Sequence, residues 1–240
     1  MKRTALLLVT LALAPAAAAQ PPHGVVTSTN SGAGLYAANC ARCHGAMGKG
    51  VQAMGPPLEN VGAGTVDFYL RTGYMPLDDP DEQPYRKRVL FDRGQLDALV
   101  RYVAALGSGP PIPQPHAERG NVAEGMHLFT ENCAGCHQIV ARGGVAPGAR
   151  VPPLTDATPV QVAEAVRAGP YVMPAFSKRA LSDAQLDSIV RYVEYAKHPS
   201  EAGGWGIGFL GPVPEGIVAW LIAAAALVAV CTTIGARASR

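Results

Sequence analysis

The hydrophobic positions of this 240-residue chain form three patterns. An uncharged apolar run covers residues 217–234, and as an α-helix it would be about 27 Å long, close to the thickness of a membrane's hydrocarbon core. A shorter apolar run covers residues 5–15. Between these runs, two segments carry apolar residues at positions i, i+3, i+4 and i+7, which predicts amphipathic helices that bury one face. These residues are Leu96, Leu99, Val100 and Val103 in the first segment and Leu186, Ile189, Val190 and Val193 in the second.

The N-terminal run has the features of a secretory signal peptide. The basic residues Lys2 and Arg3 precede it, and four alanines at 16–19 follow it. This order is typical of a cleaved leader, so we expect a signal peptide over residues 1–19 and a flexible segment over 20–30. An uncleaved membrane anchor is the alternative, and under either interpretation the main part of the chain is exported.

The C-terminal run predicts a single membrane-spanning helix over residues 216–236. Aromatic residues suited to the membrane interface occur in the preceding segment, 200–215. The basic residues Arg237 and Arg240 lie in a short tail, 237–240. Because basic residues favour the cytoplasmic side, we expect a cytoplasmic C-terminus and an extracytoplasmic location for the domains before the helix.

The two amphipathic segments belong to an internal duplication. Short motifs occur twice in the same order, so we expect two copies of one domain at residues 31–109 and 118–199, joined by a proline-rich linker at 110–117. Each copy is predicted to contain short helices, with a first helix near residues 34–40 or 123–133 that packs across the amphipathic last helix. The matched motifs are Asn39 and Asn132, Pro56-Pro57-Leu58 and Pro152-Pro153-Leu154, Met75-Pro76 and Met173-Pro174, and Gln95-Leu96-Asp97 and Gln185-Leu186-Asp187.

Each copy contains the pentapeptide Cys-x-x-Cys-His, at residues 40–44 and 133–137. Two cysteines one helical turn apart can form thioethers with the vinyl groups of a heme, and the adjoining histidine can supply an axial nitrogen to the iron. A zinc half-site and a thioredoxin-like redox pair are the alternatives, but neither requires the histidine, and zinc ribbons bring their second pair within about 15–20 residues. The prediction is two covalently bound hemes c, attached at Cys40, Cys43, Cys133 and Cys136, with His44 and His137 as iron ligands.

A heme iron that only carries electrons needs a sixth ligand. Met75 and Met173 occupy matching positions in the two copies, and each is followed by proline. A thioether opposite a histidine favours ferrous iron and raises the reduction potential. Methionines also fill apolar cores, but the matched positions favour ligation. We therefore expect His44 and Met75 on the first iron and His137 and Met173 on the second, with a carbonyl of each Pro-Pro-Leu motif orienting the histidine of its own copy.

The charged residues bear on which partners the chain can have. The chain has 20 basic and 18 acidic residues and a formal net charge of +2, which gives no indication of a nucleic acid partner. The first copy has a longer connection between its methionine and its last helix, with a run of charges at residues 78–82 and 86–88. We expect this run to be a solvated loop, with a docking surface as the alternative. No residue occupies a setting that predicts a catalytic acid, base or nucleophile.

Beyond the heme motifs, several stretches carry a resemblance to a known family. They are Thr72-Gly73-Tyr74-Met75-Pro76, Met173-Pro174-Ala175-Phe176-Ser177, and above all Gly208-Phe209-Leu210-Gly211-Pro212-Val213-Pro214-Glu215-Gly216 before the final helix. The chain resembles the diheme cytochrome c subunit of the quinol–cytochrome c reductase (cytochrome bc complex) of high-GC Gram-positive bacteria. The resemblance covers most of the chain after the leader, which is shorter here than the N-terminal segment often found in that family.

The resemblance implies an all-α fold: two tandem class I cytochrome c-like domains plus one C-terminal transmembrane helix. It implies a cytochrome c subunit that carries electrons and has no substrate-converting site of its own. The implied partners are the cytochrome b subunit, the Rieske iron–sulfur subunit, an aa-type cytochrome c oxidase and membrane lipid, with single electrons passing from the Rieske protein to the oxidase. The alternatives are an anchored diheme carrier that serves a periplasmic dehydrogenase or another terminal oxidase, and a diheme peroxidase, which would need a labile ligand at one iron.

Overall fold

The structure of the chain, a computed structural model, is mostly helical and describes residues 31–199 and 212–238. The predicted signal peptide (1–19), the flexible segment (20–30), residues 200–211 of the interfacial segment and the last two residues lie outside the described residues. The elements are α1 (Gly32–Asn39), α2 (Ala41–His44), α3 (Gly62–Arg71), α4 (Arg93–Ala104), α5 (Val122–Asn132), α6 (Ala134–His137), β1 (Gly144–Ala146), β2 (Ala149–Val151), α7 (Pro159–Ala168), α8 (Asp183–Lys197) and α9 (Pro212–Ala238), with one 3₁₀ turn at Ala117–Arg119.

The duplication is present in three dimensions as two units with the same order of helices. Repeat one contains α1–α4, and repeat two contains α5–α8. In each repeat the first helix packs across the last, α1 on α4 and α5 on α8, as predicted. Repeat two adds an antiparallel hairpin in which β1 pairs with β2. At the corresponding place repeat one has only a single bridge, between Val51 and Gly55.

A glycine lies at each crossing of the terminal helices. A Cβ added to Gly32 would overlap with the backbone oxygen of Ala98, and one added to Gly125 would overlap with the backbone oxygen of Ser188. A helix carrying any larger residue at these positions would have to move outward, because packed interiors leave no free volume. The two glycines therefore set the distance between the helices that form each core.

Each core combines the crossing helices with the third helix of its repeat. Aromatic rings meet at the same place in both, with ring centroids 5.0 Å apart for Tyr36 and Tyr102 and 5.3 Å apart for Phe129 and Tyr192. The amphipathic stripes predicted from sequence are buried. Their residues are Leu96, Leu99, Val100 and Val103 on α4 and Leu186, Ile189, Val190 and Val193 on α8.

The first helices lie where they were predicted and end one residue earlier, at Asn39 and Asn132. Cys40 and Cys133 cap them outside the helical conformation, with φ and ψ of −121° and −33° and of −125° and −36°. A new turn of helix, α2 or α6, begins at the next residue. The chain thus changes direction at the first cysteine of each pentapeptide.

The two repeats contact each other and the linker. Helix α3 of repeat one packs on α7 of repeat two. In the linker, the carbonyl of Pro110 accepts a hydrogen bond of 3.2 Å from the backbone N–H of Gly64, and Ile112 packs on the core of repeat one. At the other end, the backbone N–H of His116 donates to Asp187 at 2.7 Å. The linker is therefore attached to both repeats.

Helix α9 is the candidate membrane anchor. Residues Gly216–Ala238 form an apolar stretch of 23 residues with a mean hydropathy of 2.5, and none of this stretch is buried against the described part of the chain. A helix of this length is sufficient to cross the hydrocarbon core of a bilayer. Within the described residues it is the single helix long and apolar enough to do so.

Candidate heme sites

Each pentapeptide forms one tight helical turn. The backbone N–H of His44 donates to the carbonyl of Cys40 at 2.9 Å, and that of His137 donates to Cys133 at the same distance of 2.9 Å. In each turn the first cysteine caps a short helix, and the second cysteine and the histidine are its last two residues. The two sites therefore share one backbone geometry.

The surroundings of the thiols differ from those of a reactive redox pair. Burial, and to a smaller degree Cys43, raise the pKa of Cys40 to about 12, and burial and Cys136 raise the pKa of Cys133 to about 11. A reactive Cys-x-x-Cys pair has a lowered pKa. In the described residues, no group of three or more His, Cys, Asp or Glu side chains is arranged to hold a metal ion. Both alternatives to heme attachment are disfavoured by these surroundings.

Each histidine is oriented by the predicted proline carbonyl. The Nδ1 atom of His44 lies 2.8 Å from the carbonyl oxygen of Pro56, and that of His137 lies 3.2 Å from the carbonyl oxygen of Pro152. A carbonyl oxygen only accepts, so Nδ1 carries the hydrogen and Nε2 keeps its lone pair. Both rings are thus held in the tautomer that an axial iron ligand requires.

In repeat two, all four residues predicted to attach the heme or to ligate its iron line one cleft. Cys133, Cys136, His137 and Met173 border a cavity of about 370 Å³, which lies within the ~300–1,000 Å³ range of ligand and cofactor sites. The remaining walls are largely apolar and come from all parts of the repeat. They include Phe129, Val151, Leu154, Val162, Val166, Phe176, Ile189 and Val193. An apolar cleft with two thiols, an imidazole and a thioether fits a covalently attached heme.

In repeat one, the predicted residues lie on the same core but in a more open setting. Cys40 and Met75 both pack against the core of repeat one. His44 is partly exposed, whereas His137 is buried, with 8% of its surface exposed. A shallow depression of about 530 Å³ lies nearby, between residues 49–57 and 80–81, and includes none of the four predicted ligand residues.

Repeat one also forms part of the wall of the repeat-two cleft. Phe68, Tyr74, Gln83, Pro84 and Arg86 all border the cavity. Three of them, Gln83, Pro84 and Arg86, lie in the longer connection of repeat one, so this stretch contacts the neighbouring repeat, and the expectation of a solvated loop was wrong for it. Its acidic end, residues 78–81, is exposed or partly exposed as expected.

Both repeats match models of cytochrome families. A family model described as cytochrome c matches residues 30–107, and one described as cytochrome c oxidase, cbb3-type, subunit III matches residues 120–193. The cytochrome bc1 complex cytochrome c subunit of Mycobacterium tuberculosis is 36% identical, over 97% of this chain and 89% of the relative. That of Corynebacterium diphtheriae is 36% identical, over 86% and 80%. The chain belongs to the cytochrome bc1 complex cytochrome c subunits.

The cbb3-type cytochrome c oxidase subunit CcoP of an Azospirillum species is also similar, at 33% identity over 68% of this chain and 60% of the relative.

Family membership confirms the fold and the general chemistry expected from the sequence. This cytochrome c subunit is an electron carrier with covalently bound heme c, built from two cytochrome c domains and one apolar C-terminal helix suited to anchoring it in a membrane. It is a component of a cytochrome bc1 complex.

A buried pair of carboxyl groups in this cytochrome c subunit was not predicted. Glu164 on α7 is 1% exposed, and it lies beside Asp67 on α3, which Arg71 contacts at 2.7 Å. Burial, and then the charge of Asp67, raise the pKa of Glu164 to about 9. At neutral pH Glu164 is therefore protonated and can donate a hydrogen bond to Asp67. No local pattern predicts this contact, because the two residues belong to different repeats.

Proposed function

We propose that each repeat binds one heme c through its pentapeptide, with His44 and Met75 as iron ligands in repeat one and His137 and Met173 in repeat two. The observation that carries this proposal is the repeated turn in which the histidine Nδ1 atom is bound by a proline carbonyl. This contact leaves Nε2 as the ligand atom in both repeats. The matched methionines, each packed on the core of its own repeat, supply the opposite ligand.

The heme count tests the attachment sites directly. We expect two hemes per chain in the purified protein and one heme per chain after Cys133→Ser and Cys136→Ser are combined. The measurement is the pyridine hemochrome spectrum divided by protein concentration, with Cys231→Ser in the final helix as the matched control that keeps both hemes. One heme in the unchanged protein would contradict the proposal.

We propose that the chain relays single electrons from the Rieske iron–sulfur subunit of a quinol–cytochrome c reductase to an aa-type cytochrome c oxidase. When bound, each heme supplies a one-electron ferric–ferrous couple. The packing of α3 on α7 keeps the two sites together on one chain. A carrier tethered in this way has a high effective concentration near its donor and its acceptor, which a diffusing cytochrome lacks.

We further propose that α9 crosses the membrane beside the cytochrome b subunit, with both repeats on the extracytoplasmic side. The length and uniform apolar character of Gly216–Ala238 support a spanning helix. Arg237 and Arg240 at its end support a cytoplasmic C-terminus.

Purification from native membranes tests the partners. A tag on this chain should retain heme b, an iron–sulfur signal and heme a together with the c-type band in reduced-minus-oxidised spectra of the solubilised complex. A c-type band alone, or one that co-purifies with a dehydrogenase, would contradict the relay between reductase and oxidase.

The similarity to cbb3-type oxidase subunits supports a second candidate function. Repeat two matches the cbb3-type subunit III family, and the similarity to the Azospirillum CcoP covers 68% of the chain. Under this alternative the chain would pass electrons directly to an oxidase that contains hemes b and c and no heme a. The same purification separates the two functions, because only the first retains heme a and the Rieske signal.

A further inference from the structure

Residues 83–86 of repeat one, here called the crossing segment, lie on repeat two. The side-chain amide of Gln83 makes two hydrogen bonds with the backbone of Arg150 in β2, donating to its carbonyl at 2.7 Å and accepting from its N–H at 2.9 Å. This pair imitates the bonds that a neighbouring strand would make at the edge of the hairpin. The crossing segment is therefore held at the rim of the cleft in repeat two.

Arg86 is fixed at the other end of the crossing segment. Its Nη2 atom donates to Oε1 of Gln161 at 2.9 Å. Gln161 belongs to the capping box at the start of α7, where the same oxygen accepts from the backbone N–H of Thr158 at 3.2 Å. Because this cap orients Gln161, the guanidinium of Arg86 has a defined position at the cleft.

The cleft has positive charge and no compensating acid. Its charged lining residues are Arg86 and Arg150, and neither aspartate nor glutamate borders it. Within the described part of the chain, no carboxylate forms an ion pair with either arginine. Tyr74 borders the cleft as well; burial raises its pKa above the ordinary value, and the charge of the nearby Arg86 offsets part of that rise. The positive group and the phenol thus lie close together on the wall that repeat one supplies.

We propose that Arg86 binds a carboxylate of the heme held by repeat two, so that repeat one supplies part of the neighbouring cofactor site. This inference rests on the proposed binding of heme c in the cleft. A heme has two propionate carboxylates, and a carboxylate taken from water is costly unless it is paired and hydrogen-bonded. The guanidinium has five N–H donors, of which the bond to Gln161 uses one. The remaining donors suit a carboxylate, and Tyr74 borders the same cleft.

Arg86 then affects the reduction potential of the second heme. Its positive charge offsets the negative propionate, and an uncompensated carboxylate would stabilise ferric iron. Loss of the charge should therefore lower the potential of this heme, with an effect of about tenfold on the equilibrium constant of reduction, which is about 59 mV for one electron. The first heme, bound by repeat one itself, should not respond.

The experiment is a spectroscopic redox titration of the full-length solubilised chain, comparing Arg86→Gln, Arg86→Lys and the unchanged protein. Arg88→Gln is the matched control, since Arg88 belongs to the same charge run and is exposed like Arg86, but does not border the cleft. A parallel series in a Met75→His background moves the first heme to low potential, which assigns the remaining high-potential component to the second heme. The heme count of each variant is measured on the same samples.

We expect a lower reduction potential of the second heme in Arg86→Gln. Arg86→Lys should recover at least half of this shift, and Arg88→Gln should show no shift. Every variant made in the chain that keeps Met75 should contain two hemes. An unmoved second component in a chain with two hemes would overturn the role of Arg86 and leave the proposed function intact. An equal shift in Arg88→Gln, or a shift confined to the first heme, would also overturn it. A single heme in the unchanged protein would instead contradict the proposed function itself.

Discussion

The two repeats have the same attachment chemistry in different surroundings. Both form the same turn, bind the histidine Nδ1 atom with a proline carbonyl, and cross their terminal helices at a glycine. In repeat one the histidine is partly exposed, whereas His137 of repeat two is buried in a cleft whose walls come from both repeats. The cleft of repeat two is therefore completed by residues of its neighbour.

This difference shows where a duplicated domain can specialise. The residues proposed to attach and ligate the cofactor are constrained by geometry and are of the same types in both copies. The connection between the methionine and the last helix is not constrained in this way, and in repeat one it is longer and reaches the other copy through Gln83 and Arg86. Changing the surroundings while keeping the ligands is a direct way to give two hemes different reduction potentials.

Replacing one axial methionine at a time should separate the two sites most strongly. We expect Met173→His to keep both hemes attached and to lower the potential of the second heme by roughly 200–300 mV, within the ~0.8 V range that axial ligands control. Met75→His should do the same to the first heme. Redox titration measures both, and Met126→His is the control, because Met126 is an exposed residue of α5. An unchanged titration for Met173→His would remove Met173 as a ligand.

Disrupting one helix crossing should destabilise one repeat. In Gly125→Ala the new methyl group would overlap with the Ser188 carbonyl, and we expect a loss of about 3 kcal/mol in the free energy of unfolding with reduced heme incorporation in repeat two. Gly135→Ala is the matched control, because a Cβ there meets nothing within 4 Å and repeat one has Arg42 at that place. Thermal unfolding and heme staining check this, and equal stability of the two variants would show that α5 and α8 are not closely packed.

The carboxyl pair between the repeats should make stability depend on pH. Because burial and Asp67 raise the pKa of Glu164 to about 9 from an ordinary 4.5, the folded state binds this proton more tightly than the unfolded state. The stability contributed is complete below pH 4.5 and is lost as the pH rises towards 9, by up to about 1.4 kcal/mol per pH unit.

Glu164→Gln provides the test of that pH dependence. The amide can still donate to Asp67 and does not ionise, so this variant should lose the dependence and exceed the unchanged protein in stability at pH 8. Unfolding curves between pH 5 and 9 measure it, with the exposed Glu59→Gln as control. If both variants keep the slope of the unchanged protein, Glu164 is not protonated in the folded state.

Removing the strand-like contact of the crossing segment should have the smallest effect. Gln83→Ala loses the two hydrogen bonds to Arg150, and we expect a local cost of about 1 kcal/mol. Hydrogen exchange of the Arg150 amide should become several-fold faster, while exchange within α5 and α8 stays the same. Gln52→Ala, at an exposed position in repeat one, should leave Arg150 unchanged. Equal exchange in both variants would show that the crossing segment is not held by Gln83.

Local patterns in the sequence predicted most of the fold and the backbone geometry around the proposed heme attachment sites. Apolar spacing identified α4 and α8, the pentapeptides identified the turns, and the Pro-Pro motifs identified the carbonyls that bind His44 and His137. Each of these features depends on residues close together in the chain or on a helical period.

The contacts between repeats could not be predicted in this way. Gln83 contacts a residue 67 positions away, and Arg86 contacts one 75 positions away. A run of charges looks the same in sequence whether it is solvated or docked on a neighbouring domain. The glycine crossings and the buried Glu164 were missed for the same reason, because only the packed structure shows which backbone or carboxylate faces them.

The most direct test of the relay is a single turnover of the purified reductase–oxidase assembly after rapid mixing with quinol. We predict that the c-type absorbance rises first and then falls as heme a becomes reduced, and that Met173→His slows reduction of heme a at least tenfold while quinol oxidation still reduces heme b. Heme a reduced at the unchanged rate in Met173→His would show that electrons bypass this chain, and would contradict the account.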